Sequence, residues 1–247
     1  MQILGIKTIG LEKKYGNLSA VHDLNLEIPQ GQFFAFLGPN AAGKTTTLRM
    51  LSGLLKPTRG EIQIRGINPQ EQPLEAKKIL GYIPDFPHFY EKLTAREFLE
   101  FIGKLYFMKE EKMIKRANEL LCEFELESYQ HRLIETFSHG IRQRLGFCAT
   151  LLHEPRVLLI DEPMVGLDPK SARHVKDRMK KMTREGVTVF ISTHILSVAE
   201  ELADQIGIIH KGKLIATGTL SELKSRGKGA PDLENAFLEI TEGESRS

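Results

Sequence analysis

Cysteine is scarce, with 2 in 247 residues. Cys122 and Cys148 lie far apart and fit no CxxC or CxxH pattern, which excludes a disulfide framework and a structural zinc site. Both are expected as buried thiols in a reducing compartment. An excess of one charge is also missing: Lys plus Arg number 34 against 32 Asp plus Glu, a formal net charge of +2. No run of five like charges occurs, so nucleic acid is not an expected partner. No stretch approaches the ~18–20 consecutive apolar residues of a membrane span. Met1 to Tyr15 lacks the basic-then-apolar layout of a signal peptide. There is no internal repeat and no low-complexity segment. These absences predict a soluble, cytosolic chain.

What is present is a changing apolar period. With 41% hydrophobic residues the chain can bury a sizeable core. Residues 21–28 alternate with period two up to Pro29 and Gly31, as a half-buried strand does. Gln32 to Leu37 is a continuous apolar run that suits a strand buried on both faces. Thr45 to Leu55 reads as a helix stopped near Pro57, with short strands expected at Glu61 to Arg65 and Ile79 to Pro84. The middle is helical. Thr94 and Glu97 form a capping box ahead of an apolar face at Phe98, Leu99, Ile102 and Leu105. Met113, Ala117, Leu120 and Leu121 mark a second face, and Ser138 stands where it can N-cap a helix through Leu152. Strands return at Val157 to Ile160 and Val187 to Ser192. A hairpin is expected from Ile206 to Thr217 around Lys211-Gly212. Gly227 to Gly229 reads as flexible, and Leu233, Ala236, Phe237 and Ile240 as a short amphipathic helix. The pattern predicts an α/β sheet core interrupted by a helical insertion near residues 87–153.

Two motifs carry chemistry. Gly38, Pro39, Asn40, Ala41, Ala42, Gly43, Lys44 and Thr45 fit GxxxxGK(S/T), between a buried strand and a helix, which is the context that motif requires. Such a loop turns successive backbone N–H groups, and the helix N-terminus, toward the phosphates of a nucleotide. Lys44 is expected to reach the β- and γ-phosphates and Thr45 to ligate Mg²⁺; Thr46 completes the expected nucleotide-contacting set. Downstream, Val157-Leu-Leu-Ile160 delivers Asp161 and Glu162 to a strand's carboxyl end, where ligands of open α/β sheets bind. Asp161 suits Mg²⁺ held through its water shell. Glu162 suits a general base that polarises an attacking water.

Phe137-Ser-His-Gly-Ile141, followed by Arg-Gln-Arg144, resembles the LSGGQ signature of the ATP-binding cassette family in the variant form of its type-2 exporter branch. Gly166-Leu-Asp168-Pro169 resembles the family's D-loop, His194 its switch histidine, and Asp85 stands at its Q-loop position. Tyr15 lies where the family stacks an aromatic on adenine, or else packs on the core. The resemblance spans residues 3 to about 240. It implies a RecA-like P-loop NTPase fold: a mostly parallel sheet core with an N-terminal antiparallel β subdomain and an inserted α-helical subdomain. It further implies one ATPase domain over 1–247, with the nucleotide-binding core at 1–86 and 154–218, the helical signature subdomain at 87–153 and a C-terminal helical tail at 219–247. The implied ligands are ATP and Mg²⁺, the latter through Thr45, Asp85 and Asp161, and the implied catalytic residues are Glu162, His194 and Asp85. Ser138, His139, Gly140 and Asp168 would complete the site of a second subunit, expected as a homodimer. A separate polytopic permease at the cytoplasmic face of the membrane would be the transport partner, reached through a groove near Asp85 to Tyr90 and the helix from Thr94.

The sequence departs from the family pattern at four positions. Asp85 replaces Gln or Glu. Ala41 replaces Gly, and a negative φ is expected there because a Cβ disfavours the left-handed region. His139 replaces Gly or Lys, and is expected as an imidazolium near the partner's γ-phosphate, with activity falling as pH rises. Ile141 replaces Gln, which leaves packing where the family has a polar contact. Two competing functions stay open: a soluble cassette ATPase acting on nucleic acid or ribosomes, and a regulatory nucleotide-binding module with little turnover.

Overall fold

The structure, a computed structural model, describes residues 3–226 and 230–245. Gly227 to Gly229 lie outside them. Two sheets form from strands with different exposure. The first is antiparallel, in the order β2-β1-β4, from β1 (Leu4–Tyr15), β2 (Leu18–Pro29) and β4 (Arg59–Ile64). The second has the order β5-β6-β7-β3-β8-β9, from β3 (Phe33–Leu37), β5 (Leu80–Ile83), β6 (Val157–Asp161), β7 (Thr188–Thr193), β8 (Gln205–His210) and β9 (Lys213–Gly218). Its first five strands pair in parallel, and β9 closes one edge as the expected antiparallel hairpin with β8.

The continuous apolar runs are buried because both faces of the second sheet are covered. Phe33, Ala35, Leu37, Leu158, Ile160, Val189 and Ile191 enter one core, together with residues of the helices. Phe34, Phe36, Leu159 and Phe190 enter the other, which is shared with Ile6, Leu26, Ile28, Ile62 and Ile64 of the antiparallel sheet. Phe34 and Phe190 stack across neighbouring strands at 5.2 Å.

Nine α-helices occur among the described residues. Helix α1 (Lys44–Leu51) starts one residue earlier than the pattern predicts and stops before Leu55. Gly53 takes a φ of 75° and its N–H bonds the Met50 carbonyl, which turns the chain off well ahead of Pro57. Helix α2 (Pro73–Ile79) is short. The insertion holds α3 (Ala95–Leu105), α4 (Glu110–Glu123) and α5 (His139–Leu151). The Thr94–Glu97 capping box is present at α3. Leu105, expected on the apolar face, is exposed, while Phe98 and Leu99 are buried. All four apolar residues expected on α4 are buried. After β6 come α6 (Pro169–Arg184), α7 (Leu196–Leu202), α8 (Leu220–Arg226) and α9 (Leu233–Ser245). Cys148 is buried as expected, but Cys122 is exposed, because it lies on the solvent side of α4 away from Leu120 and Leu121. No described helix is long and apolar enough to cross a membrane.

Candidate functional site

The strand order builds the site. Strands β5, β6, β7 and β3 are consecutive neighbours running in parallel, so the residues that follow their carboxyl ends gather along one edge. Asp85 follows β5, Asp161 ends β6 with Glu162 next, His194 follows β7, and the loop to Lys44 follows β3.

The β3–α1 loop is strained and tight. Gly43, the N-cap of α1, has φ 105°, and a Cβ there would come 2.5 Å from the Ala20 carbonyl oxygen, so only glycine fits. Ala41 corrects the sequence expectation: its φ is 61°, not negative. Ala42 donates its N–H to the Pro39 carbonyl at 3.3 Å, closing a turn in which Ala41 is the third residue. A left-handed residue is a standard solution at that place, and the loop accepts a cost of roughly 1–2 kcal/mol for the Cβ. Lys44 is buried; its Nζ donates to the carbonyls of Gly38 and Pro39 at 2.8 and 3.1 Å and lies 3.7 Å from Glu162 Oε1. Burial lowers its pKa, against the raising pull of Glu162 and Asp161. Thr45 is exposed at the start of α1, while Thr46 is half-buried.

Asp161 is buried and accepts a hydrogen bond from Ser192 Oγ on β7. Adjacent strand residues would point to opposite faces. Glu162 escapes that alternation with a φ of 49°, and its Oε1 lies 2.9 Å from His194 Nδ1. Asp85 is half-buried, and burial together with Asp161 and Glu162 raises its pKa; His139 and His194 pull the other way. Asp85 Oδ1 and Glu162 Oε2 are buried without a hydrogen-bond partner.

Three carboxylates and two orphaned oxygens call for a cation, and the buried lysine calls for an anion. No three His, Cys, Asp or Glu side chains among the described residues form a closed metal cage. That suits Mg²⁺, which keeps waters and phosphate oxygens beside one or two protein ligands. Thr45 and Asp161 line one end of a cavity of about 850 Å³ that runs past Asp85 and Phe86 to Tyr106 and His153. Thr45, Asp85 and Asp161 therefore share one hollow with the groove between core and helical insertion.

Elsewhere, Tyr15 is half exposed and lies under Lys13 Nζ at 5.2 Å rather than in the core. Ser138 occupies the N-cap position of α5, yet its side chain makes no capping bond. Asp168 N-caps α6, accepting from the N–H groups of Lys170 and Ser171 and from Ser171 Oγ, which lowers its pKa. None of Ser138, His139, Gly140 and Asp168 lines the cavity that holds Thr45 and Asp161. Ser192 is not legible in the sequence as a functional residue: one serine inside an apolar strand carries no motif, and only the pairing of β6 with β7 brings it to Asp161.

A lysine-bearing loop after a buried strand, facing carboxylates two strands away, is built for a nucleotide triphosphate. The class is that of the P-loop nucleotide-binding domains. The ABC transporter family pattern matches residues 21–165. The bacitracin transport ATP-binding protein BcrA of Bacillus licheniformis is 42% identical over 224 residues, 90% of this chain and 72% of that protein. The daunorubicin resistance ATP-binding protein DrrA3 of Streptomyces coeruleorubidus is 37% identical over 220 residues, 89% of this chain and 70% of its own. Among solved structures, an ATP-binding subunit of an ABC transporter superposes with a TM-score of 0.90 at 32% identity, covering 96% of this chain and 99% of that one. A dimeric post-hydrolysis state of the cassette MJ0796, bound to ADP and Pi, gives 0.80 at 28% identity, covering 87% and 98%. The chain belongs to the ABC transporter family, as an ATP-binding, ATP-hydrolysing subunit of the exporter type.

Proposed function

We propose that this chain hydrolyses ATP as one half of a two-subunit cassette that powers export through a separate membrane permease. The observation that carries the reading is the meeting of Lys44, Asp161, Glu162 and His194 at adjoining strand ends. The backbone of Gly38, Pro39, Asn40, Ala41, Ala42 and Gly43 wraps the phosphates, and Lys44 exchanges its loop carbonyls for phosphate oxygens. Thr46 adds a hydroxyl behind them, and Tyr15 offers its open ring to the adenine. Thr45 and Asp161 hold Mg²⁺, with Asp85 reaching it through water; when bound, the ion neutralises developing charge on the phosphate oxygens. Glu162 takes a proton from the attacking water, and His194 keeps that carboxylate oriented.

Ser138, Gly140 and the peptide of His139 form a second anion site at the start of α5, which serves the nucleotide of a partner copy. Asp168 supports that face as the cap of α6. The core at 1–86 and 154–218, the helical insertion at 87–153 and the tail at 219–247 act as one cassette. The work is done at the cytoplasmic face of the membrane, where the groove at Asp85 to Tyr90 receives the permease. The different compounds in the names of the bacitracin and daunorubicin relatives support a substrate choice made by the permease rather than by this subunit.

The test is phosphate release. Glu162→Gln is expected to slow turnover by roughly 10²–10⁴-fold while ATP binding persists. Wild type turning over as slowly as Glu162→Gln would refute the hydrolytic reading and favour a regulatory module.

A further inference from the structure

The histidine that opens α5 sits at a junction of three loops within one chain. Gly166, in the turn after β6, has a φ of 77°, and a Cβ on it would run into ring atoms Cδ2 and Nε2 of His139. The same ring lies 6.0 Å from that of Phe86, in the loop after β5, tilted by 55°. Gly140 approaches the turn too: a Cβ there would come 3.2 Å from the Gly166 carbonyl oxygen. Each loop carries a neighbour with a proposed role, namely Ser138 before His139, Asp85 before Phe86, and Asp168 two residues beyond Gly166.

We propose that His139 is a positioning residue whose imidazole acts as a spacer, fixing the start of α5 against the Gly166 turn and Phe86. That spacing sets how Ser138 and Asp168 are presented together to the partner's nucleotide, and it ties both to the loop that lines the groove. The device depends on the shape of the ring and on the absence of a side chain at Gly166. A glycine or lysine at position 139, as in the family pattern, supplies no such ring. The kinetic consequence rests on the proposed ATPase function; the packing consequence rests on geometry alone.

A double-mutant cycle tests the spacer on the full chain. Gly166→Ala is expected to lower kcat by about tenfold with KM for ATP within about twofold, because the phosphate loop is untouched. It is also expected to lower Tm by several degrees. Adding His139→Gly removes the collision but not the backbone strain, so the double variant should recover several-fold in kcat and only the part of the lost Tm that the collision causes. The left-handed backbone strain that Gly166→Ala introduces is the same with either residue at position 139 and cancels in the cycle. His139→Phe, which keeps a planar ring, should regain at least half of the kcat lost in His139→Gly. A double variant as slow and as heat-sensitive as Gly166→Ala would overturn the proposal, as would His139→Phe performing no better than His139→Gly. If wild type shows no turnover, the ATPase reading fails, and the Tm cycle by itself decides the spacer.

Discussion

His153 is held neutral by burial, which pulls its pKa down to about 4. Its ring stacks on Tyr106 at 3.9 Å and its Nε2 lies 3.2 Å from the Leu80 carbonyl oxygen, so Nε2 bears the proton of the neutral form. In the unfolded chain the ring titrates near 6.5. The unfolded state therefore binds more protons between those values, and stability falls as pH drops from about 6.5 toward 4. Thermal unfolding across that range should show the loss, and His153→Gln should flatten it; an unchanged acid slope in the variant would place the effect elsewhere. At this scale different signals carry different residues: the apolar run before them marks Asp161 and Glu162, the GxxxxGK(S/T) spacing marks Lys44, and the family resemblance marks His194. The sequence is not legible where backbone conformation decides. A Cβ makes a negative φ at Ala41 the natural expectation, but the turn closed by Pro39 and Ala42 overrides that preference. The His139–Gly166 contact joins segments that no local pattern connects.

Among elements, α3 links the groove to the core. Phe98, lining the cavity, meets Phe89 edge-on at 5.1 Å, while Leu99 is fully buried in the helical core. Leu99→Ala is expected to cost about 3 kcal/mol, measured by denaturant unfolding, with Tyr90 and Phe101 keeping their surface contact. A loss under about 1 kcal/mol would mean the site collapses around the smaller side chain. Elements with an unbroken period are readable, β3, β6 and α4 above all. Strand β1 escapes a sequence reading because its pairing with β2 shifts register four times, and each bulge breaks the period-two alternation. Helix α6 escapes it because its buried stripe is narrow, only Ser171, Val175, Met179 and Met182 in sixteen residues. Helices α2 and α7 are too short to display a period.

At the scale of the molecule, the exposed rims of the groove are the surface on which the proposed permease would sit. Phe86 and Tyr90 are exposed there, beside a cavity that reaches Thr45 and Asp161. Tyr90→Glu should leave basal ATP hydrolysis within about twofold, since the exposed Tyr90 ring packs edge-on against Phe101 of α3, and should abolish co-purification of a polytopic membrane protein that wild type retains. Equal retention by both would move the permease contact off this rim.

The place of β3 in the sheet bears on how the chain comes into being. This strand, entirely apolar and carrying the loop that ends at Lys44, hydrogen-bonds on one side to β7 and on the other to β8. Both neighbours are made long after it. A ribosome must therefore deliver the polypeptide past Thr193 before one flank of the strand can be covered, and past His210 before both are. Until then, a greasy ribbon with two open edges waits in the cell. Synthesis that stalls between Leu37 and Thr188 should yield aggregates rather than a smaller folded body, which makes the middle of the molecule the last part to be safe.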